Sequence, residues 1–127
     1  MKYSVHHLHL ICKDLEKMIV FFTEALDARL IVRKKFGTAD GASLDLQGSL
    51  INLRVARDDE TMTGDALQPR YGYDHLALEV ENLEAAYQDL TSKGFSFVLP
   101  PTETPDAKIA FFKGAENITI ELLQMNH

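Results

Sequence analysis

Side chains able to bind a transition metal recur at matching places in two halves of this chain. Val5-His6-His7-Leu8-His9-Leu10 returns as Tyr73-Asp74-His75-Leu76-Ala77-Leu78. Each copy puts a helix-capping residue seven positions past its central histidine, Asp14 after His7 and Asn82 after His75. Each copy also closes on an apolar strand broken by one polar residue. These strands are Leu50-Ile51-Asn52-Leu53 and Thr119-Ile120-Glu121-Leu122, and their polar residues follow the histidines by 45 and 46 positions. A lone strand histidine says little. Donors in matching register, His7, Asn52, His75 and Glu121, point to a metal site shared by two halves.

Neutral imidazoles and a carboxylate suit divalent Ni, Co, Zn, Mn or Fe, and the amide oxygen of Asn52 is a weaker further donor. With a single carboxylate such a site keeps a positive charge, which lowers the pKa of bound water and stabilises an oxyanion developing on a substrate. Glu121 is the candidate base, because a carboxylate at the metal can swing off and take a proton. His9, Arg54 and Glu79 are expected to line the site and meet the substrate. The plainer alternative makes all of these satisfied polar residues of a sheet, with Asn52 hydrogen-bonding its neighbours.

The elements that must carry these groups follow from periodicity. Residues 4 to 12 alternate as a strand, with Leu8, Leu10 and Cys12 on one face and His7, His9 and Ile11 on the other. Asp14 caps a helix whose apolar residues, Leu15, Met18, Ile19, Phe22, Ala25 and Leu26, recur at helical spacing, with an end expected near Asp27. Strands are predicted over 29–36, 42–46 and 50–56, separated by turns at Gly37–Gly41 and Gln47-Gly48. The second half repeats the order: a strand over 73–80, a helix capped by Asn82 and ended at Gly94, then strands over 96–99, 109–112 and 118–123. Pro100-Pro101 is expected to break the chain. The polar stretch 58–71 reads as a partly helical linker between modules 1–57 and 72–127 of one domain. The expected fold is α+β, two βαβββ modules whose curved mixed sheets surround a metal-binding cavity. If Ile51, Leu53, Ile120 and Leu122 pack under the helices, then Asn52, Arg54, Thr119 and Glu121 share the opposite face. That face is too polar to be a second core, so a cavity is expected there.

Composition narrows the function. A formal net charge of −6 argues against a nucleic-acid partner. Arg33-Lys34-Lys35 reads as a solvated strand end, with an anion-holding role as the alternative. The single cysteine, Cys12, excludes an intramolecular disulfide and fits a reducing cytoplasm; it reads as a small core residue. No run approaches the ~20 apolar residues of a membrane span, and no leader is evident.

These residues carry a family resemblance. His7 with Asp14-Leu15-Glu16-Lys17, and His75 with Asn82-Leu83-Glu84, resemble the two module starts of the vicinal oxygen chelate superfamily, and Phe111 to Leu122 resembles its closing strand pair. That superfamily includes glyoxalase I (lactoylglutathione lyase), methylmalonyl-CoA epimerase, extradiol dioxygenases, fosfomycin-resistance enzymes and bleomycin-binding proteins. The resemblance covers almost the whole chain. It implies a metal cavity, commonly within a homodimer, with His7, Asn52, His75 and Glu121 on the ligand positions of the glyoxalase-like branch. Glyoxalase I has glutamate where this chain has Asn52, whereas the epimerase has glutamine, so an amide leans toward epimerase or isomerase chemistry. The resemblance therefore implies a lyase, isomerase or epimerase acting on a small carbonyl or thioester compound through an enediolate. The alternatives are an extradiol-type dioxygenase, using His7, His75 and Glu121, and a metal-free drug- or metabolite-binding module.

Overall fold

The computed structural model describes residues 1–63 and 71–126. The chain divides into two compact units, Met1–Thr63 and Gly64–His127. Most of the expected linker, residues 64–70, lies outside the described residues.

In the first unit, β1 (His7–Cys12) leads into α1 (Leu15–Val20), followed by β2 (Arg29–Phe36), β3 (Ala39–Leu46) and β4 (Ser49–Val55). The carboxylate of Asp14 accepts the Lys17 backbone N–H at 3.1 Å, which satisfies a donor that the first helical turn leaves open. The apolar spacing that predicts one helix to Asp27 hides a change of winding: Phe21–Ala25 forms a π-helical turn. Thr23 Oγ1 donates back to the Ile19 carbonyl at 2.8 Å, a bond that competes with the regular helical pattern. β2, β3 and β4 form an antiparallel meander, and β1 returns parallel to β4, giving the order β1-β4-β3-β2. α1 packs on β3 and β4, and Met18, the neighbouring Phe22, Leu44, Ile51 and Leu53 are all buried. Cys12 is buried on this side, as expected of a small core residue.

The second unit repeats the order with β5 (Leu76–Glu79), α2 (Leu83–Ser92), β6 (Phe97–Glu103), β7 (Ala107–Lys113) and β8 (Thr119–Met125), arranged β5-β8-β7-β6. Asn82 caps α2 by accepting the Ala85 N–H at 3.0 Å. Gly94, at φ +95°, closes it: the Phe95 N–H reaches the Leu90 carbonyl and the Gly94 N–H the Thr91 carbonyl. Those paired bonds need the left-handed conformation that glycine adopts without strain. Leu83, Leu90, Ala110, Phe112, Ile120 and Leu122 make the core under α2. The architecture is α+β, two similar modules each with a mixed four-stranded sheet.

The boundaries shift in one instructive place. Pro100-Pro101 does not end β6; the strand runs through both prolines, with its pairing to β7 irregular between Leu99 and Thr102. β6 is an edge strand, so one missing N–H can fall on its unpaired side, and the irregular pairing between Leu99 and Thr102 accommodates the other. The residues of Arg33-Lys34-Lys35 are exposed and already engaged: Arg33 with Glu16, Lys35 with Asp40, and the Lys34 ammonium over the Phe36 ring. They make the solvated strand end that the sequence favours.

Candidate functional site

In each module the polar groups lie on the sheet face away from the helix. The pairing fixes this directly. His9 stands opposite Asn52, and Asn52 opposite Ser43, while Leu8, Ile51 and Leu44 share the other face. Likewise Ala77 stands opposite Glu121, and Glu121 opposite Phe111, while Leu76, Ile120 and Phe112 share the helix side. Residues paired across a ladder project to the same side, so His7, His9, Asn52 and Arg54 share one face and His75, Ala77, Glu79, Thr119 and Glu121 the other module's equivalent face.

The second module holds the tighter cluster. His75 lies just before β5, and its Nε2 is 2.9 Å from Glu121 Oε1. Its Nδ1 is 2.8 Å from Asp74 Oδ2. The His75 pKa is raised above its ordinary value, first by the Asp74 hydrogen bond; burial opposes it next, and the Glu121 bond and the charges of both carboxylates add to the rise. Phe111 closes one side, its ring edge-on to the imidazole at 5.2 Å between centroids. Glu79 lies further along the same strand face and is exposed.

The first module is built differently. His7 is exposed, with Nδ1 2.9 Å from His6 Nδ1. Asn52 is buried, and the Ser43 hydroxyl donates to its Oδ1 at 2.7 Å. His9 rests edge-on against Phe36 at 4.7 Å. Phe36 in turn lies against Gly41, where a Cβ would meet the ring at 2.5 Å and the Leu53 carbonyl at 2.4 Å. Gly41 is thus the bare patch that lets the ring settle on the sheet. Burial lowers the His9 pKa, and the nearby positive charge of Arg54 and the His7 ring lower it further. Arg54 is buried and committed: it grips Glu60 through two bonds of 2.6 and 2.9 Å and holds that carboxyl down to about 2.

Among the described residues, no group of three or more His, Cys, Asp or Glu side chains forms a ready-made metal cage. The fit of a divalent ion is therefore tested on the donors each module brings. Two ligands about 2.1 Å from one ion and at right angles stand about 3 Å apart. The His75–Glu121 spacing matches that separation. A metal-binding imidazole needs its other nitrogen held by an acceptor, and Asp74 supplies it. Asn52 Oδ1 keeps one lone pair beside the one Ser43 occupies. The donor types and these local geometries fit a divalent transition ion.

Asp74 and Ser43 escaped the sequence reading. The Asp-His pair was visible, but neighbours on a strand project oppositely, and only the position of His75 before β5 lets Asp74 fold back onto it. Ser43 needed the β3–β4 register, which no local pattern supplies.

Comparison with known proteins agrees with this architecture. The chain is 25% identical to lactoylglutathione lyase of Schizosaccharomyces pombe over 98% of its own length, and spans about half (48%) of that relative. It is 30% identical to a glyoxylase/bleomycin resistance protein/dioxygenase domain from Frankia sp. EAN1pec, covering 100% of this chain and 95% of that one with a TM-score of 0.83. The fold is shared with the fosfomycin resistance protein FosX of Listeria monocytogenes, solved with Mn(II) and sulfate, at 21% identity, 99% and 95% coverage and a TM-score of 0.72. Among the described residues no helix is long and apolar enough to cross a membrane. Residues 4–122 match the model of one family, and the chain belongs to it: the Glyoxalase/Bleomycin resistance protein/Dioxygenase superfamily.

Proposed function

We propose that this protein is a divalent-metal-dependent, glyoxalase-like lyase, isomerase or epimerase acting on a small carbonyl or thioester compound. The observation that supports it most is the Asp74–His75–Glu121 chain, an imidazole held by one carboxylate and aimed at a second. On this reading His7, Asn52, His75 and Glu121 hold the ion, and Glu121 is the base. When bound, the ion would polarise the substrate carbonyl and stabilise the negative charge of an enediolate.

The protein's own groups do the rest. Glu121 takes the proton from the carbon beside the carbonyl and returns it to complete the isomerisation. Phe111 stands edge-on to the His75 ring and limits water on that side. Asp74 holds Nδ1–H and so leaves Nε2 as the donor nitrogen. Asn52 in place of a second carboxylate favours epimerase-like over lyase chemistry on this reading, because the epimerase that the chain resembles also carries an amide at this position. His9, Arg54 and Glu79 contribute to the lining on the substrate side. Arg54 acts chiefly by holding the sheet end through Glu60. The protein works as a homodimer in the cytoplasm on this reading, supported by general oligomer statistics and a lone buried cysteine.

Metal analysis of protein purified without chelating resin is the test. About one first-row divalent ion per chain, lost in His75→Ala, is the expected result. Full-length, folded protein that takes up none of Ni, Co, Zn, Mn or Fe would overturn the reading and favour a binding module.

A further inference from the structure

Most cations near the described sheets are already matched to carboxylates: Arg33 to Glu16, Lys35 to Asp40, Arg54 and Arg57 to Glu60, Lys108 to Glu103. Lys113 is different. It ends β7 opposite Thr119, two residues from the Phe111–Glu121 pair, so it projects to the same face as Glu121. Its ammonium is partly buried and donates to the Thr119 hydroxyl at 2.6 Å. Among the described residues it forms no ion pair. Lys113 also borders a recess of about 390 Å³ between 94–98 and 113–117, whose lining includes neither Thr119 nor Glu121. A partly buried ammonium satisfied by one neutral oxygen keeps unused donors and an uncompensated charge.

We propose that Lys113 and Thr119 form a carboxylate-binding subsite, so that the substrate is a short oxo- or hydroxy-acid anchored by its carboxylate while its carbonyl end lies by Glu121. This rests on the proposed role of Glu121 and names the substrate class for it. Positions two apart on a strand are separated by about 7 Å, which a carboxylate a few carbons from the reacting centre spans. The Lys113 ammonium supplies the charge-assisted bond, and Thr119 Oγ1–H a second donor, since a hydroxyl that accepts from the ammonium still has its own proton to give. On the equivalent face of the first module the buried cation, Arg54, is already matched to Glu60.

The probe is 4-oxopentanoate, with its neutral methyl ester as control, titrated against metal-free protein by amide NMR. The expected result is binding that shifts the Lys113 and Thr119 resonances, is about tenfold weaker in Lys113→Met, and is partly restored in Lys113→Arg. The ester should bind weakly and without regard to residue 113. Equal affinity of native and Lys113→Met protein for the acid, ester binding as tight as the acid, or no binding at all would each overturn the proposal. An unchanged amide spectrum elsewhere shows that Lys113→Met is folded. Because the titration needs no metal, a protein that binds the acid but no ion would lose the metalloenzyme reading alone, and one that binds an ion but ignores Lys113→Met would lose the subsite alone.

Discussion

The two modules place different side chains on one backbone plan, and the difference separates charge from shape. At the position after the metal-candidate histidine on the shared face, the second module has Ala77 and the first has His9. Alanine leaves His75 free to reach Glu121 at 2.9 Å, so the second module brings imidazole and carboxylate together. In the first module the His9 ring stands opposite Asn52, braced by Phe36 against Gly41, and Asn52 is tied to Ser43 instead. Glu121 is a charged acceptor with a proton-transfer role open to it. Asn52 is neutral, buried and hydrogen-bonded. The repeated frame thus carries different side chains at two paired positions, with an acidic donor in one half and a neutral one in the other.

The largest effect expected from breaking this division is Glu121→Gln. The amide keeps an oxygen for an ion and a partner for His75, but it cannot accept a proton. Turnover should fall about 10²–10⁴-fold while metal content falls far less. Steady-state kinetics on metal-saturated protein, alongside metal analysis, measures both. Near-native turnover by folded Glu121→Gln would move the base elsewhere and leave the second module with a purely structural pair.

A smaller, more diagnostic effect belongs to Asp74. Asp74→Ala removes the acceptor at His75 Nδ1 and should weaken metal affinity about 10–100-fold, with turnover at saturating metal much less changed. His6→Ala is the matched change in the first module, where the neighbour of His7 is another imidazole and not a carboxylate. Its effect on metal affinity should be clearly smaller. Chelator competition compares the two variants directly, and equal losses would erase the asymmetry between modules.

Much of this was legible before any coordinates, for a specific reason. Period-two alternation puts Leu8, Leu10 and Cys12 on one side and His7 and His9 on the other, and it does so without knowing which strands pair. The caps at Asp14 and Asn82 are equally local, since a side chain bonds an N–H three residues on. What stayed hidden depends on register or on an element's edge. Ser43 meets Asn52 only through the β3–β4 pairing. Phe36 lies against Gly41 because β2 slips past β3 between Leu30 and Val32. β6 continues through Pro100-Pro101 because it is an edge with irregular pairing, a property of the whole sheet. Each of these is long-range information that one strand's pattern does not contain.

The finest test rewrites Asn52 toward its counterpart. In Asn52→Glu both modules carry a carboxylate at the paired position, and Ser43 can still donate to it. An additional anionic donor should tighten metal binding by about tenfold and raise any trace lyase activity. It should also weaken the native reaction, since a second carboxylate cancels the positive charge that stabilises an enediolate. Placing a carboxylate at this buried position costs stability, because Arg54 on the same strand face is already paired with Glu60. Asn52→Asp separates charge from reach: it adds the charge at native side-chain length, so a gain in Asn52→Glu alone would mean that length, not charge, keeps Asn52 from the ion. Native, Asn52→Asp and Asn52→Glu proteins assayed with the methylglyoxal–glutathione adduct decide the matter. Low native activity rising only when a carboxylate is added supports the division between the modules. Robust lyase turnover by the native protein would show that Glu121 alone suffices for that reaction, and the epimerase-like preference drawn from Asn52 would fall.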